Sequence, residues 1–183
     1  VWLASFFSSA FSNRLFQKTG PQKAGENMKV ALIRPPIRES AKRGVGYYAD
    51  RLNNSLSKLP NLQVVWKDFS LNLNDSEVDL FHIPFFEPYF LGLPVFANKK
   101  IVLTIHDVTR LVFPDWFPPG LRGSIEWAIQ KKLLNNVSQV ITDSFISLTD
   151  IQSKLSLPEN KISVVHLAAD EQFAKKYSQL QVD

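Results

Sequence analysis

The sequence predicts an α/β domain, three layers deep, built around a mostly parallel sheet. Three observations carry that prediction. Short β-branched runs at 101–105, 140–142 and 162–165 end abruptly in polar residues, as buried parallel strands do where they open into loops. Stretches with helical spacing lie between most of the apolar runs, leaving crossovers of a dozen residues or more, which suit right-handed connections. The chain of 183 residues suffices for one domain with a sizeable core and is too short for two of ordinary size.

The elements follow in order. Met28-Lys29-Val30-Ala31-Leu32-Ile33 opens a first strand at 29–33 in the manner of a Rossmann-like domain. Residues 34–46 form a loop containing Pro35 and Pro36, and 45–59 a helix. Strands are expected at 62–67 and 78–83, then a loop over 84–98, where Pro88 and Pro94 allow at most short helix. The run 101–105 is the fourth strand, and a Phe/Pro-rich loop follows at 111–119. Pro118 and Pro119 delay the next helix to 121–134, where apolar residues recur at 121, 125, 128, 129 and 133. After a fifth strand at 139–142 comes a helix at 147–155, with Ser147 as N-cap and Asp150 three residues on. Pro158 separates it from the sixth strand, 162–165. No internal repeat or low-complexity tract interrupts the pattern.

Composition narrows the function. At 45% hydrophobic and 21% charged residues the chain is an ordinary globular one. The absence of cysteine rules out disulfides and thiolate metal sites and is compatible with a reducing compartment. The formal charge is +4, of which Arg14, Lys18 and Lys23 against Glu26 contribute +2 within the first 27 residues. The remainder is only mildly basic and lacks the dense Lys/Arg runs and aromatic platforms of nucleic-acid binders, so no nucleic-acid partner is expected. No apolar run approaches the roughly 18 to 20 residues of a membrane span.

Residues 1–27 differ in character from the rest. Trp2, Leu3, Phe6, Phe7, Ala10, Phe11, Leu15 and Phe16 recur at helical spacing opposite Ser5, Ser8, Ser9, Ser12 and Asn13. A helix of this kind can lie on a membrane surface, which makes peripheral membrane contact one reading. The other is upstream sequence translated from an incorrect start, Met28 being the only methionine. As a secretory signal the segment is poor, because no positive charge precedes its apolar part. The organisation expected is an extension at 1–27, one domain at 28–173 and a polar tail at 174–183.

Ligands of open α/β sheets bind at the carboxyl ends of the strands, and four loops there carry chemistry-capable residues. Gly44 and Gly46 let backbone N–H groups approach a ligand at a helix N-terminus, although a tight strand-to-helix turn would use them equally well. His82 ends the third strand among apolar residues, a setting that suits a satisfied core histidine as readily as a ligand contact. His106 follows a five-residue β run and sits beside Asp107, where a strand end would aim it into the cleft. Neighbours on an extended chain face opposite ways, so Asp107 need not orient that imidazole. Asp143 and Ser144 end the fifth strand. Ser144, His106 and Asp107 make a hydrolytic triad on paper, but no Gly-x-Ser-x-Gly elbow surrounds Ser144. The 3 histidines lie far apart without metal-ligand spacing, and no metal is expected.

In this order and spacing the segments Arg43-Gly44-Val45-Gly46, Leu80-Phe81-His82-Ile83-Pro84, Thr104-Ile105-His106-Asp107, Val140-Ile141-Thr142-Asp143-Ser144 and Ile162 to Asp170 resemble the acceptor-side half of family-4 glycosyltransferases. These are sugar-transferring enzymes built from two facing Rossmann-like domains, the GT-B architecture. The resemblance covers about residues 28–173 and implies the N-terminal half of that fold. It places Gly44 and Gly46 on the glycine-rich loop facing the inter-domain gap, His82 beside the acceptor, and His106 beside the donor sugar as the catalytic residue. Asp107 and Ser144 join the substrate-binding set. Asp143 departs from the Val, Ala or Asn usual there, and Ala169 from the glycine usual before Asp170; Phe173 fits.

The resemblance further implies retaining transfer without metal or other cofactor, from a nucleotide-sugar to a glycan or lipid-linked acceptor in polysaccharide biosynthesis, with a hexose such as mannose as the expected sugar. The donor-clamping acidic pair belongs to the C-terminal domain, so this chain alone is expected to be inactive until that domain is supplied in cis or in trans. A cytoplasmic location is implied, peripheral at most at the inner face of the membrane. The alternative function is a non-catalytic Rossmann-like protein that binds a glycan or a partner.

Overall fold

The computed structural model describes residues 28–36 and 44–169. The proposed extension at 1–27, Arg43, Asp170, Phe173 and the tail lie outside the described residues.

The main sheet has six strands, all paired in parallel. In chain order the first elements are β1 (Met28–Arg34), α1 (Gly44–Leu56), β2 (Leu62–Asp68), β3 (Asn72–Leu73), β4 (Leu80–Ile83), β5 (Phe96–Ala97) and β6 (Lys100–Thr104). There follow α2 (Thr109–Val112), α3 (Gly120–Leu133), β7 (Gln139–Thr142), α4 (Phe145–Leu155) and β8 (Ile162–Val164). The strand order β2-β1-β4-β6-β7-β8 runs outward from β1 to β2, then crosses back to β4 and continues to the other edge. That reversal between β1 and β4 is the switch point at which doubly wound sheets open a crevice.

Both faces of the sheet are apolar because alternate residues face opposite ways. Val30, Leu32, Leu80, Val102 and Ile141 face Leu52 and Leu56 of α1. Ala31, Ile33, Phe81, Ile83, Ile101, Leu103 and Val140 face Ile151 and Leu155 of α4, with Leu134 beyond the end of α3. Each fully buried Leu, Ile or Phe contributes roughly 1.5 to 3 kcal/mol of transfer free energy, so the near-continuous apolar strands anchor the fold.

Three local expectations differ from what forms. The 84–98 loop contains β5, which pairs with β3 in a separate two-stranded sheet. The helix placed at 147–155 begins at Phe145, capped by Ser144 rather than Ser147: Ser144 is extended (φ −148°, ψ 159°) and its Oγ accepts from the Ser147 N–H. The apolar spacing of α3 locates the helix but not its inner face. Leu121, Ile125 and Ile129 are exposed, while Gly123 and Gln130 are buried. Gln130 Oε1 accepts from the Gly92 N–H at 2.7 Å, and its Nε2 donates to the carbonyls of Glu87 and Pro88. Gly123 permits close approach, because a Cβ there would stand a tight 3.2 Å from the Cβ atoms of Pro119 and Tyr89. Polar satisfaction and close approach thus set the helix's orientation against the 84–92 loop.

Candidate active site

Strand register explains why the site residues meet. Parallel pairing sets Val102 opposite Gln139, Leu103 opposite Val140 and Thr104 opposite Ile141. Continued two positions past the strands, the same register brings His106 beside Asp143, separated by 37 residues in sequence. Alternation then puts Thr104 and His106 on the face of Val102, the side covered by α1. His82, opposite Val102, lies on that side too.

His106 is fixed from several directions. Its Nδ1 lies 2.6 Å from Asp143 Oδ2, with both side chains about one-fifth exposed (23% and 20%). A contact that short to a carboxylate is charge-assisted whenever the ring is protonated. The Tyr48 ring of α1 meets the imidazole edge-on, with centroids 4.6 Å apart. Ser147 Oγ donates to the His106 carbonyl at 2.8 Å and receives the Ser144 hydroxyl at 3.0 Å. The Asp143 carbonyl in turn accepts from Nδ1–H of His166 at 2.9 Å, tying the end of β8 to the same cluster.

Behind this outer pair lies a dry inner layer. His82 is fully buried, and its Nε2 lies 2.9 Å from Thr104 Oγ1. Burial, reinforced by the nearby His106, pushes its pKa down to about 3, so the ring is neutral across the physiological range. Tyr48 Oη is 3.4 Å from Thr104 Oγ1. Burial raises its pKa to about 12; the Thr104 bond opposes that shift and the Asp143 charge adds to it. Thr104 is therefore the junction between a neutral histidine and a neutral phenol.

The residues expected from the sequence take different stations. His106 and Ser144 belong to one cluster, Ser144 through its capping hydroxyl. His82 supports that cluster from beneath through Thr104 and has no exposed surface with which to meet a sugar. The exposed Asp107 accepts from the Thr109 N–H at 2.9 Å and so opens α2 instead of contacting His106. Gly44 is exposed, with open space where a Cβ would stand. Gly46 is buried and helps line a cavity of about 590 Å³ with Arg34, Trp66, Asp68 and Phe69 at the ends of β1 and β2. Among the described residues no group of His, Asp and Glu converges as a metal site would require.

Tyr48, Thr104 and His166 escaped the sequence reading as site residues. The strand-end motifs contained Thr104 and His166, but nothing local reveals that a threonine links two elements. For Tyr48 the only signal was its place one turn past Gly44.

A doubly wound parallel sheet with an anchored histidine at the carboxyl end of a central strand is the α/β, Rossmann-like architecture consistent with a GT-B N-terminal domain. Residues 24–173 match the model of Glycosyltransferase Family 4, and the chain belongs to that family. It is accordingly a glycosyltransferase domain of the acceptor side. No curated protein matches the chain.

Proposed function

We propose that this domain holds a glycan or lipid-linked acceptor for retaining, metal-independent transfer of a hexose, mannose being one candidate, in polysaccharide biosynthesis. A donor-binding domain, acting in cis or in trans, supplies the nucleotide-sugar and the cationic groups that stabilise its departing diphosphate. The observation that carries this reading is His106, fixed between Asp143 and Tyr48 at the sheet edge where the two domains of such enzymes face each other. His106 meets the reacting sugar, and Gly44, Gly46 and Ser144 shape the surrounding edge.

The same reading places the enzyme at the cytoplasmic face of a membrane. Supporting it, α3 exposes Leu121 (82% exposed), Ile125 and Ile129, the loop before it exposes Trp116 (83% exposed), and Lys131 and Lys132 lie in its last turn. Apolar and aromatic side chains flanked by cations suit an anionic bilayer surface.

Release of nucleoside diphosphate from a panel of nucleotide-sugars tests the proposal. The isolated chain should release none, while the chain combined with a donor-binding domain should turn over. In that enzyme His106→Ala should lower kcat by about 100-fold to 10,000-fold, the usual range for a positioned proton-transfer group. Turnover by the chain alone above a His106→Ala control would overturn the division of labour. Glycan binding without turnover in the combined enzyme would favour a non-catalytic glycan-binding role.

A further inference from the structure

We infer that Asp143 is a positioning residue that holds His106 in its Nδ1–H form and leaves Nε2 as the acceptor nitrogen. This rests on the proposed role of His106 and specifies how that role is prepared. A carboxylate has only acceptors to offer, so the hydrogen shared across the 2.6 Å contact resides on Nδ1. Nε2 is shielded from solvent and has no hydrogen-bond partner among the described residues.

The other described groups around the ring are otherwise engaged. Asp107, its sequence neighbour, caps Thr109. Tyr48 of α1 presents its ring and places its hydroxyl near Thr104. His82 of β4 is neutral and bonded to Thr104. Ser147 of α4 bonds to the His106 carbonyl and to Ser144. Among the described residues Asp143 alone addresses the imidazole nitrogen, and its backbone is tied in place by His166. The Val, Ala or Asn expected at this position could not supply a charged acceptor. A neutral imidazole in water favours hydrogen on Nε2, so without Asp143 the hydrogen would sit on Nε2 most of the time.

Ring nitrogen shifts of the full chain labelled with 15N-histidine, recorded where the rings are neutral, read this directly without any substrate. The native protein should show a protonated Nδ1 and a bare Nε2 at His106. Asp143→Ala should shift the ring toward Nε2–H with the His82 signals unchanged, and Asp143→Asn, which keeps an acceptor oxygen, should restore much of the native form. Nε2–H in the native protein would overturn the inference even if neither variant folded. An unchanged form in a folded Asp143→Ala variant would overturn it as well. In the enzyme completed by a donor domain, Asp143→Ala should lower kcat by about 10-fold to 100-fold with little change in KM. If the ring is held as inferred and no transfer occurs, the transferase proposal fails while the positioning inference stands.

Discussion

Acidification should weaken this fold through one residue, His82. In the folded chain its pKa is pushed down to about 3 by burial; in the unfolded chain it returns to 6.5. Below 6.5 the unfolded state therefore binds a proton that the folded state refuses, and stability falls as pH drops toward 3. The loss approaches about 1.4 kcal/mol per pH unit within that window and amounts to about 2 kcal/mol at pH 5. Urea denaturation at pH 7 and pH 5, for the native chain and for His82→Gln, measures it. Carboxylates titrate in both proteins, so the difference between the two pH slopes isolates the histidine. With a urea dependence of about 2 kcal/mol per molar, the native midpoint should fall about 1 M further than that of the variant. Parallel slopes between pH 7 and pH 5 would refute the claim that His82 is held neutral by burial.

Further outcomes follow from other contacts. Gln130→Ala strips partners from the buried Gly92 N–H and from the Glu87 and Pro88 carbonyls; it should cost about 1 to 3 kcal/mol in denaturation and speed proteolysis within 84–92. Ser144→Ala removes the α4 cap, and a loss of about 1 kcal/mol should appear in the same measurement. Replacing Leu121, Ile125 and Ile129 together with glutamine should abolish sedimentation with anionic vesicles and change stability little, each site being solvent-exposed. Undiminished vesicle binding would remove α3 from the membrane reading.

The strands and their polar ends were readable because runs such as 101–105 combine burial on both faces with a sharp change to polar residues. Helix α1 and α3 were located from spacing to within a few residues. What escaped depended on partners remote in sequence. The inner face of α3 was decided by Gln130 reaching the 84–92 loop, and its outward Leu and Ile obey the same 3.6-residue period that a core face would. Two-residue strands such as β3 and β5 are too short to show any period. Either Ser144 or Ser147 could cap α4 by composition, and only the Ser144 backbone angles and the Ser147 bond to His106 separate them. Asp143 stood out as a departure from the family pattern, yet its pairing required the order of strands in the sheet. His82 could equally have been core or contact; the distinction lay in burial.

The row shared by His106 and Asp143 has a consequence for how such enzymes diversify. Adjacent parallel strands lie about 4.8 Å apart, a spacing set by backbone hydrogen bonds and indifferent to the side chains beyond them. The two positions just past β6 and β7 are thus paired slots whose separation is inherited from the main chain. Exchanging the occupant of one slot retunes the other's proton without moving the scaffold. A lineage can vary the chemistry of this edge one substitution at a time, while every intermediate retains the same sheet.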